Sequence, residues 1–256
     1  MGKTSIPWCD FTFNAFWGCT KVSAACQNCY AERWARRCGF DVWGTDKPRR
    51  FFGEKHWQEP LRWNAAAEKT GVRRRVFCGS MCDVMEDAPL PGLDAARASL
   101  WRLVSETCSL DWLLLTKRPE NFQSFLPAGW LKEPRPNVWL LTTAANQAEA
   151  DRNIPALLSV PAVVHGLSCE PLLGAVEFGR YLKGSATRPP LDWVIVGGES
   201  GPHARLMAYQ WARDLRDQAR GAGVAFFMKQ MSGPTKDERE AIPQDLQIRE
   251  FPNAAR

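Results

Sequence analysis

Residues 111–119 read DWLLLTKRP. A short, continuous apolar run closes on Thr116, Lys117 and Arg118, and a proline follows. Such a run fits a strand buried on both faces, as in a parallel sheet. The same pattern recurs in VFCGS (76–80), NVWLLTT (137–143), AVVHGLS (162–168), DWVIVGG (192–198) and VAFFMKQ (224–230), and a first strand is expected near FTFNAFW (11–17). Helix-like segments lie between them at Tyr30–Cys38, Leu93–Cys108, Pro119–Leu126, Gln147–Leu158 and Tyr209–Ala222. Strands alternating with helices indicate an α/β fold, either a barrel or an open doubly wound sheet. Residues 39–75 are charged, aromatic and weakly periodic, and are expected to form an insertion lobe over the site. Residues 178–190 read as a flexible loop.

The ends of the apolar runs are unusually polar. They carry Ser80 and Asp83, then Thr116, Lys117 and Arg118, then Thr142 and Thr143. Ser168, Cys169 and Glu170 follow, then Gly197, Gly198, Glu199 and Ser200, and finally Lys229 and Gln230. Parallel α/β folds bind ligands at the carboxyl edge of the sheet. Turn chemistry accounts for the glycines and serines, but poorly for Glu170, Glu199, Lys117 and Lys229 together. One shared site is therefore expected.

The chain has 256 residues, 45% of them hydrophobic, enough for one substantial core. The leading MGKTSIPWCDFTF lacks the apolar centre of a signal peptide. No apolar run reaches the roughly 18 residues of a membrane span. A soluble, cytoplasmic protein with no membrane partner is expected. The formal net charge is +5. Arg33, Arg36, Arg37, Arg49, Arg50, Arg73, Arg74 and Arg75 are interleaved with Trp34, Trp43, Phe51, Phe52, Trp57 and Trp63. That mixture suits nucleic acid, through phosphate contacts and base stacking, and equally suits a solvated surface around buried tryptophans. No Walker motif or dinucleotide-binding glycine loop occurs where it should, and Pro202 breaks a G-x-S-x-G match at Ser200.

Nine cysteines are many for a cytosolic chain. Three of them, Cys19, Cys26 and Cys29, sit in GCTKVSAACQNCYAER (18–33) with C-x6-C-x2-C spacing. A structural zinc site wants four ligands, so Cys9, Cys38 or a histidine would have to complete it. A 4Fe–4S cubane held by three thiolates would instead leave one iron open. His165, in an apolar strand, reads as a packed, hydrogen-bonded histidine.

The cysteine segment, LLLTKRP (113–119), SCEPLLG (168–174), WVIVGGESG (193–201) and FFMKQ (226–230) together resemble the three-Cys-motif family of phage proteins, the Gp37/Gp68 or DUF5131 family. That family in turn resembles radical S-adenosylmethionine (SAM) enzymes. The first cysteine gap is six residues here, where three is commonest. The resemblance implies a single radical-SAM-like domain over 1–256, with a partial (β/α) barrel of about six parallel strands. It implies a 4Fe–4S cluster on Cys19, Cys26 and Cys29, with SAM as second cofactor and a flavodoxin- or ferredoxin-like reducing system. It also implies a phage-encoded protein working in the cytoplasm of a bacterial host.

On that reading Ser80, Asp83, Thr116, Lys117, Thr142, Ser168 and Glu170 are cofactor-binding positions, and Glu199, Glu170 and Lys229 are catalytic ones. The expected function is radical isomerisation or tailoring of a hypermodified base in phage DNA, such as an amino-acid-decorated thymidine, or of the modified nucleotide. The alternatives are a non-enzymatic, zinc-binding nucleic-acid-binding protein, and a hydrolase- or nuclease-like enzyme using Glu170 and Glu199.

Overall fold

The apolar runs become the strands of one curled sheet in the computed structural model, which describes residues 4–182, 191–235 and 237–253. In chain order the strands are β1 (Phe11–Phe13), β2 (Phe16–Trp17), β3 (Arg50–Phe51), β4 (Arg74–Cys78), β5 (Leu110–Thr116), β6 (Val138–Thr143), β7 (His165–Cys169), β8 (Trp193–Gly197) and β9 (Ala225–Gln230). The helices are α1 (Tyr30–Arg37), α2 (Glu54–Trp57), α3 (Glu59–Thr70), α4 (Leu93–Glu106), α5 (Phe122–Phe125), α6 (Ala128–Lys132), α7 (Gln147–Leu158), α8 (Gly179–Leu182) and α9 (Tyr209–Ala222).

Seven strands pair in the order β1-β4-β5-β6-β7-β8-β9, every pair parallel. Each crossover therefore steps the same way, and the sheet curls into a half-barrel with β1 and β9 at its edges. The open doubly wound alternative is excluded, because it requires the strand order to reverse. The count is seven rather than about six, since Phe11–Phe13 joins beside β4.

Alternation along each strand divides the apolar residues between two cores. Val76, Trp112, Leu114, Leu140, Leu167, Val194 and Met228 face the helices, with Leu100, Ile154 and Leu215 among the helical partners. Phe77, Leu113, Trp139, Leu141, Trp193, Ile195 and Phe227 face the inside of the curl with Trp8. Trp193 is fully buried at the centre of this inner plug, its ring 6.3 Å from Trp8, 6.0 Å from Trp139, 6.1 Å from Phe227 and 5.5 Å from Phe251. Edge strands invite unwanted pairing, and the β9 edge is covered. Met228 N–H donates to the Ile248 carbonyl and Glu250 N–H to Phe226, both at 2.9 Å.

Several expectations shift. The helix expected over Pro119–Leu126 is a 3₁₀ turn (Pro119–Asn121) running into α5. Residues 39–75 are woven into the rest of the chain. β3 pairs with β2, Val42 and Trp43 pack with Ala31, Ala35 and Met81, and Trp57, Leu61 and Trp63 lie against the main core. Within residues 178–190, Gly179–Leu182 form α8, and 183–190 lie outside the described residues.

Several of the arginines read as a nucleic-acid surface are engaged by other side chains of the chain. Arg49 is buried against Glu86. Arg50 lies over the rings of Trp17, Phe40 and Phe52. Arg73 pairs with Asp111, and Arg74 and Arg75 with Asp10. Arginine satisfies such carboxylates and rings through its planar fork. Among the described residues, no helix is long and apolar enough to cross a membrane.

Candidate functional site

A cavity of about 600 Å³ opens at the carboxyl edge of the half-barrel. Cys19, Cys26 and Cys29 line it, and so do Ser80, Asp83, Thr116 and Lys117 from the β4 and β5 ends. Ser168, Glu170, Glu199 and Lys229 line it from the far side. Thr142 is the exception. Its side chain turns away, and its hydroxyl donates to the Thr116 carbonyl at 3.0 Å. Thr143, one residue on, takes the cavity position, with a buried hydroxyl that has no hydrogen-bond partner. The period of two along a strand decides this, and β6 had to be registered before the parity was known.

The cysteine loop is anchored from below. Gly18 follows β2 at φ +115°, and a Cβ there would fall 2.3 Å from the Val42 carbonyl oxygen. Only glycine fits so close an approach at that φ. Its N–H donates to the Met81 carbonyl, and the Thr20 N–H donates to Glu86 Oε1 at 2.8 Å. Glu86 in turn receives a two-pronged Arg49, with Nε to Oε2 and Nη2 to Oε1 both at 2.9 Å. Arg49 also donates to the carbonyls of Val42, Gly44 and Lys47. Further along, Ser23 caps the 3₁₀ turn Ala24–Cys26 by accepting from the Ala25 N–H. Cys29 then stands at the start of α1.

Arg118 joins this loop to the β5 end. Its Nη1 lies 3.7 Å from Cys19 Sγ and 2.9 Å from Asp83 Oδ2, and its Nη2 donates to the Thr20 carbonyl at 2.7 Å. Asp83 is fully committed. Oδ1 accepts from Met85 N–H and the Thr116 hydroxyl, and Oδ2 accepts from Lys117 N–H and Arg118. Asp83 and Thr116 thus brace the cavity wall, while Ser80 is held by the Asn14 side chain and the Ser168 hydroxyl donates to Glu170 Oε2. Burial pushes the Cys19 thiol up to about 12, with Asp83 adding to the rise and Arg118 opposing it. A thiolate there needs compensating positive charge, which Arg118 partly supplies.

Two carboxylates dominate the opposite wall. Glu170 Oε1 lies 2.7 Å from Lys229 Nζ. Gly197 makes room for it, since a Cβ at that position would stand 2.8 Å from the same oxygen. Glu199 accepts from Arg205 Nε at 3.0 Å and Nη2 at 2.6 Å, and from Asn28 Nδ2 at 3.0 Å. Burial raises the Glu199 pKa, but these hydrogen bonds outweigh it and hold the carboxyl below its ordinary value. Glu199 therefore clasps the cysteine loop to the β8 end instead of standing free as a base. The glycines of GGESG serve the same junction. Gly201 has φ +120°, and its missing Cβ leaves space for the Arg33 guanidinium, which donates to the Ser200 carbonyl.

Among the described residues, no group of three Cys, His, Asp or Glu side chains stands ready assembled around a metal position. The three thiols face one cavity, half-buried, and closing them on one centre requires rotation of their side chains. Their donor chemistry suits iron–sulfur or zinc ligation. Cys82 also lines the cavity and neighbours Cys19. Cys9 belongs to the inner plug, Cys78 and Cys169 to the outer core, and Cys38 and Cys108 are exposed. His165 is buried, its Nε2 2.8 Å from the Val160 carbonyl, and His56 stacks on Phe13 and Phe52.

Sequence reading missed Asn28, Arg205, Glu86 and the bracing role of Arg49. Asn28 alone carried a signal, since it lies inside the cysteine motif.

A family model described as a protein of unknown function (DUF5131) matches residues 3–252. No curated protein matches the chain. Among solved structures, the apo form of the 3-keto-D-glucoside 4-epimerase YcjR from E. coli is similar at 12% identity and a TM-score of 0.39, over 90% of this chain and 95% of that one.

Proposed function

The chain belongs to the DUF5131 family, and from that premise we propose that it is a radical SAM enzyme acting on a modified base of phage DNA or on the corresponding nucleotide. One observation carries the reading. The C-x6-C-x2-C loop delivers all three thiols to the cavity formed by the polar strand ends. Three thiolates suit a 4Fe–4S cluster with one open iron; Cys19, Cys26 and Cys29 would hold it, and once reduced by a flavodoxin or ferredoxin it would supply the one-electron chemistry for reductive cleavage of SAM.

The chain's own residues would work around those cofactors. Cys19, Cys26 and Cys29 would hold the cluster, with Arg118 balancing charge at Cys19. Lys117 would pair with the SAM carboxylate, and Ser80, Thr143 and Ser168 would hydrogen-bond its polar groups. Glu170 and Lys229, already paired, would orient substrate or move a proton at the far wall. The inner plug beneath the cavity excludes water from that side, which protects a reactive radical. A base still in duplex DNA would have to be flipped out to reach so recessed a site.

Anaerobic reconstitution with iron and sulfide, followed by SAM and dithionite, tests the proposal. A brown protein with about four irons per chain is expected. It should release 5′-deoxyadenosine and lose both properties when Cys19, Cys26 and Cys29 are replaced by alanine. The second reading, a zinc-binding nucleic-acid-binding protein, draws on Cys82 as a fourth thiol at the cavity. A colourless protein with one zinc that is lost in Cys82→Ala would establish it and overturn the first.

A further inference from the structure

The cavity holds more cations than its carboxylates account for. Asp83 is matched by Arg118, Glu170 by Lys229, and Glu199 by Arg205. Two further arginines line the cavity, Arg239 and Arg249. Among the described residues, neither has a carboxylate within ion-pairing distance. Arg239 Nε is buried and has no acceptor. An orphaned buried donor is costly, and native proteins rarely leave one unless a ligand or water completes it.

Both arginines lie at the β8–β9 side of the cavity. Arg239 rests on Gly233, where a Cβ would fall 2.6 Å from Arg239 Cα. Gly233 is itself tied to the β8 end, donating to the Glu199 carbonyl and accepting from Gly201 N–H, both at 3.1 Å. Arg249 sits in the segment that covers the β9 edge, bridged to Phe227, with its guanidinium 5.8 Å from that ring. Backbone pairing at Arg249 and the close packing of Arg239 on Gly233 thus position both stems before any ligand arrives, which lowers the ordering cost of binding.

We infer that Arg239 and Arg249 form an anion site at the β9 side of the cavity that seats the phosphate next to the target base. Planar guanidinium forks match phosphate oxygens, and a charge-assisted pair in a recessed site is stronger than one in open water. The identity of the anion as a nucleotide phosphate rests on the proposed base-modifying function; the site itself does not.

Calorimetric titration of the full-length protein with thymidine, thymidine 5′-monophosphate and the dinucleotide TpT tests this. At least one phosphate-bearing probe should bind about tenfold or more tighter than thymidine, a difference well within what one ion-paired phosphate supplies. Preference for the monophosphate assigns a free nucleotide, and preference for TpT assigns the polymer backbone. The preference should shrink in Arg249→Gln, an exposed residue outside both cores, and vanish in the Arg239→Gln/Arg249→Gln double variant. It should persist in Arg62→Gln, an exposed α3 cation outside the cavity. Equal affinity for all three probes, no binding of any, or a preference that survives the double variant would overturn the inference. Iron content, measured on the same variants, is expected to persist. Wild-type protein that prefers phosphate yet holds no iron would sink the radical reading and leave the anion site standing.

Discussion

At the level of single residues, the site is organised by fixed pairs. Glu199 is the most informative of these. Its carboxyl is held below the ordinary glutamate value, so its contribution to stability is fully present above about pH 4.5 and is lost as pH falls through the lower folded-state value. Glu199→Gln should flatten that acid limb. Urea midpoints measured from pH 7 down to pH 3 should converge for the two proteins at the acid end; parallel curves would show that the clasp to Arg205 and Asn28 contributes nothing. Gly201 gives a steric counterpart. A methyl group there would fall 1.8 Å from Arg33 Nη1 at a backbone φ of +120°. Gly201→Ala should cost about 1–3 kcal/mol, the usual range for strained backbone plus a displaced contact. Gly221→Ala, in open space on α9, should cost nothing or stabilise slightly. Chemical denaturation of the two variants side by side checks both expectations.

At the level of elements, the cysteine loop depends on a strut outside its own sequence. Arg49 and Glu86 are almost fully buried and hold opposite ends of the loop's support. Removing one partner of a buried pair leaves a bare charge and typically costs about 3–5 kcal/mol. Glu86→Ala should therefore lower stability by about that amount and release Thr20 N–H and Arg118 as well. Because the loop positions Cys19, the variant should also hold less metal after reconstitution. Melting temperature and metal content should fall together, and full metal loading in a destabilised variant would separate the strut from the site.

Across the whole molecule, a half-barrel must solve a problem that a closed barrel does not, since its concave face would otherwise be open to water. Here the inner face is filled by rings gathered from Trp8, Trp139, Trp193, Phe227 and Phe251, so the curl is a packed plug with the cavity at its carboxyl end. Trp193→Ala should cost about 3–5 kcal/mol through lost burial and the cavity left behind. For a chain of this size that corresponds to a fall in Tm of roughly 10 °C. Calorimetry would check it, and a change under 1 kcal/mol would mean that the plug collapses freely around the gap.

What the chain's order of residues determined was local. Continuous apolar runs ending in polar residues located the strands, because parallel strands are buried on both faces and their carboxyl ends are not. The spacing of Cys19, Cys26 and Cys29 marked the loop, and the strand ends marked the cavity edge. What tertiary structure decided was every assignment that depends on partners distant in sequence. Asp83 read as a cofactor-binding position and Glu199 as a catalytic one until Arg118 and Arg205 were placed beside them. Arg49, Arg50 and Arg73 read as surface until Glu86, the Trp17 ring and Asp111 enclosed them. Thr142 read as the cavity residue until the register of β6 sent it outward and Thr143 into the cavity. Arg239 and Arg249 carried no local signal at all, because only the pairing of the last segment with β9 and the close approach at Gly233 bring them there. Burial and pairing are properties of neighbours in space, and an apolar pattern states which face turns inward but not which charge will meet which.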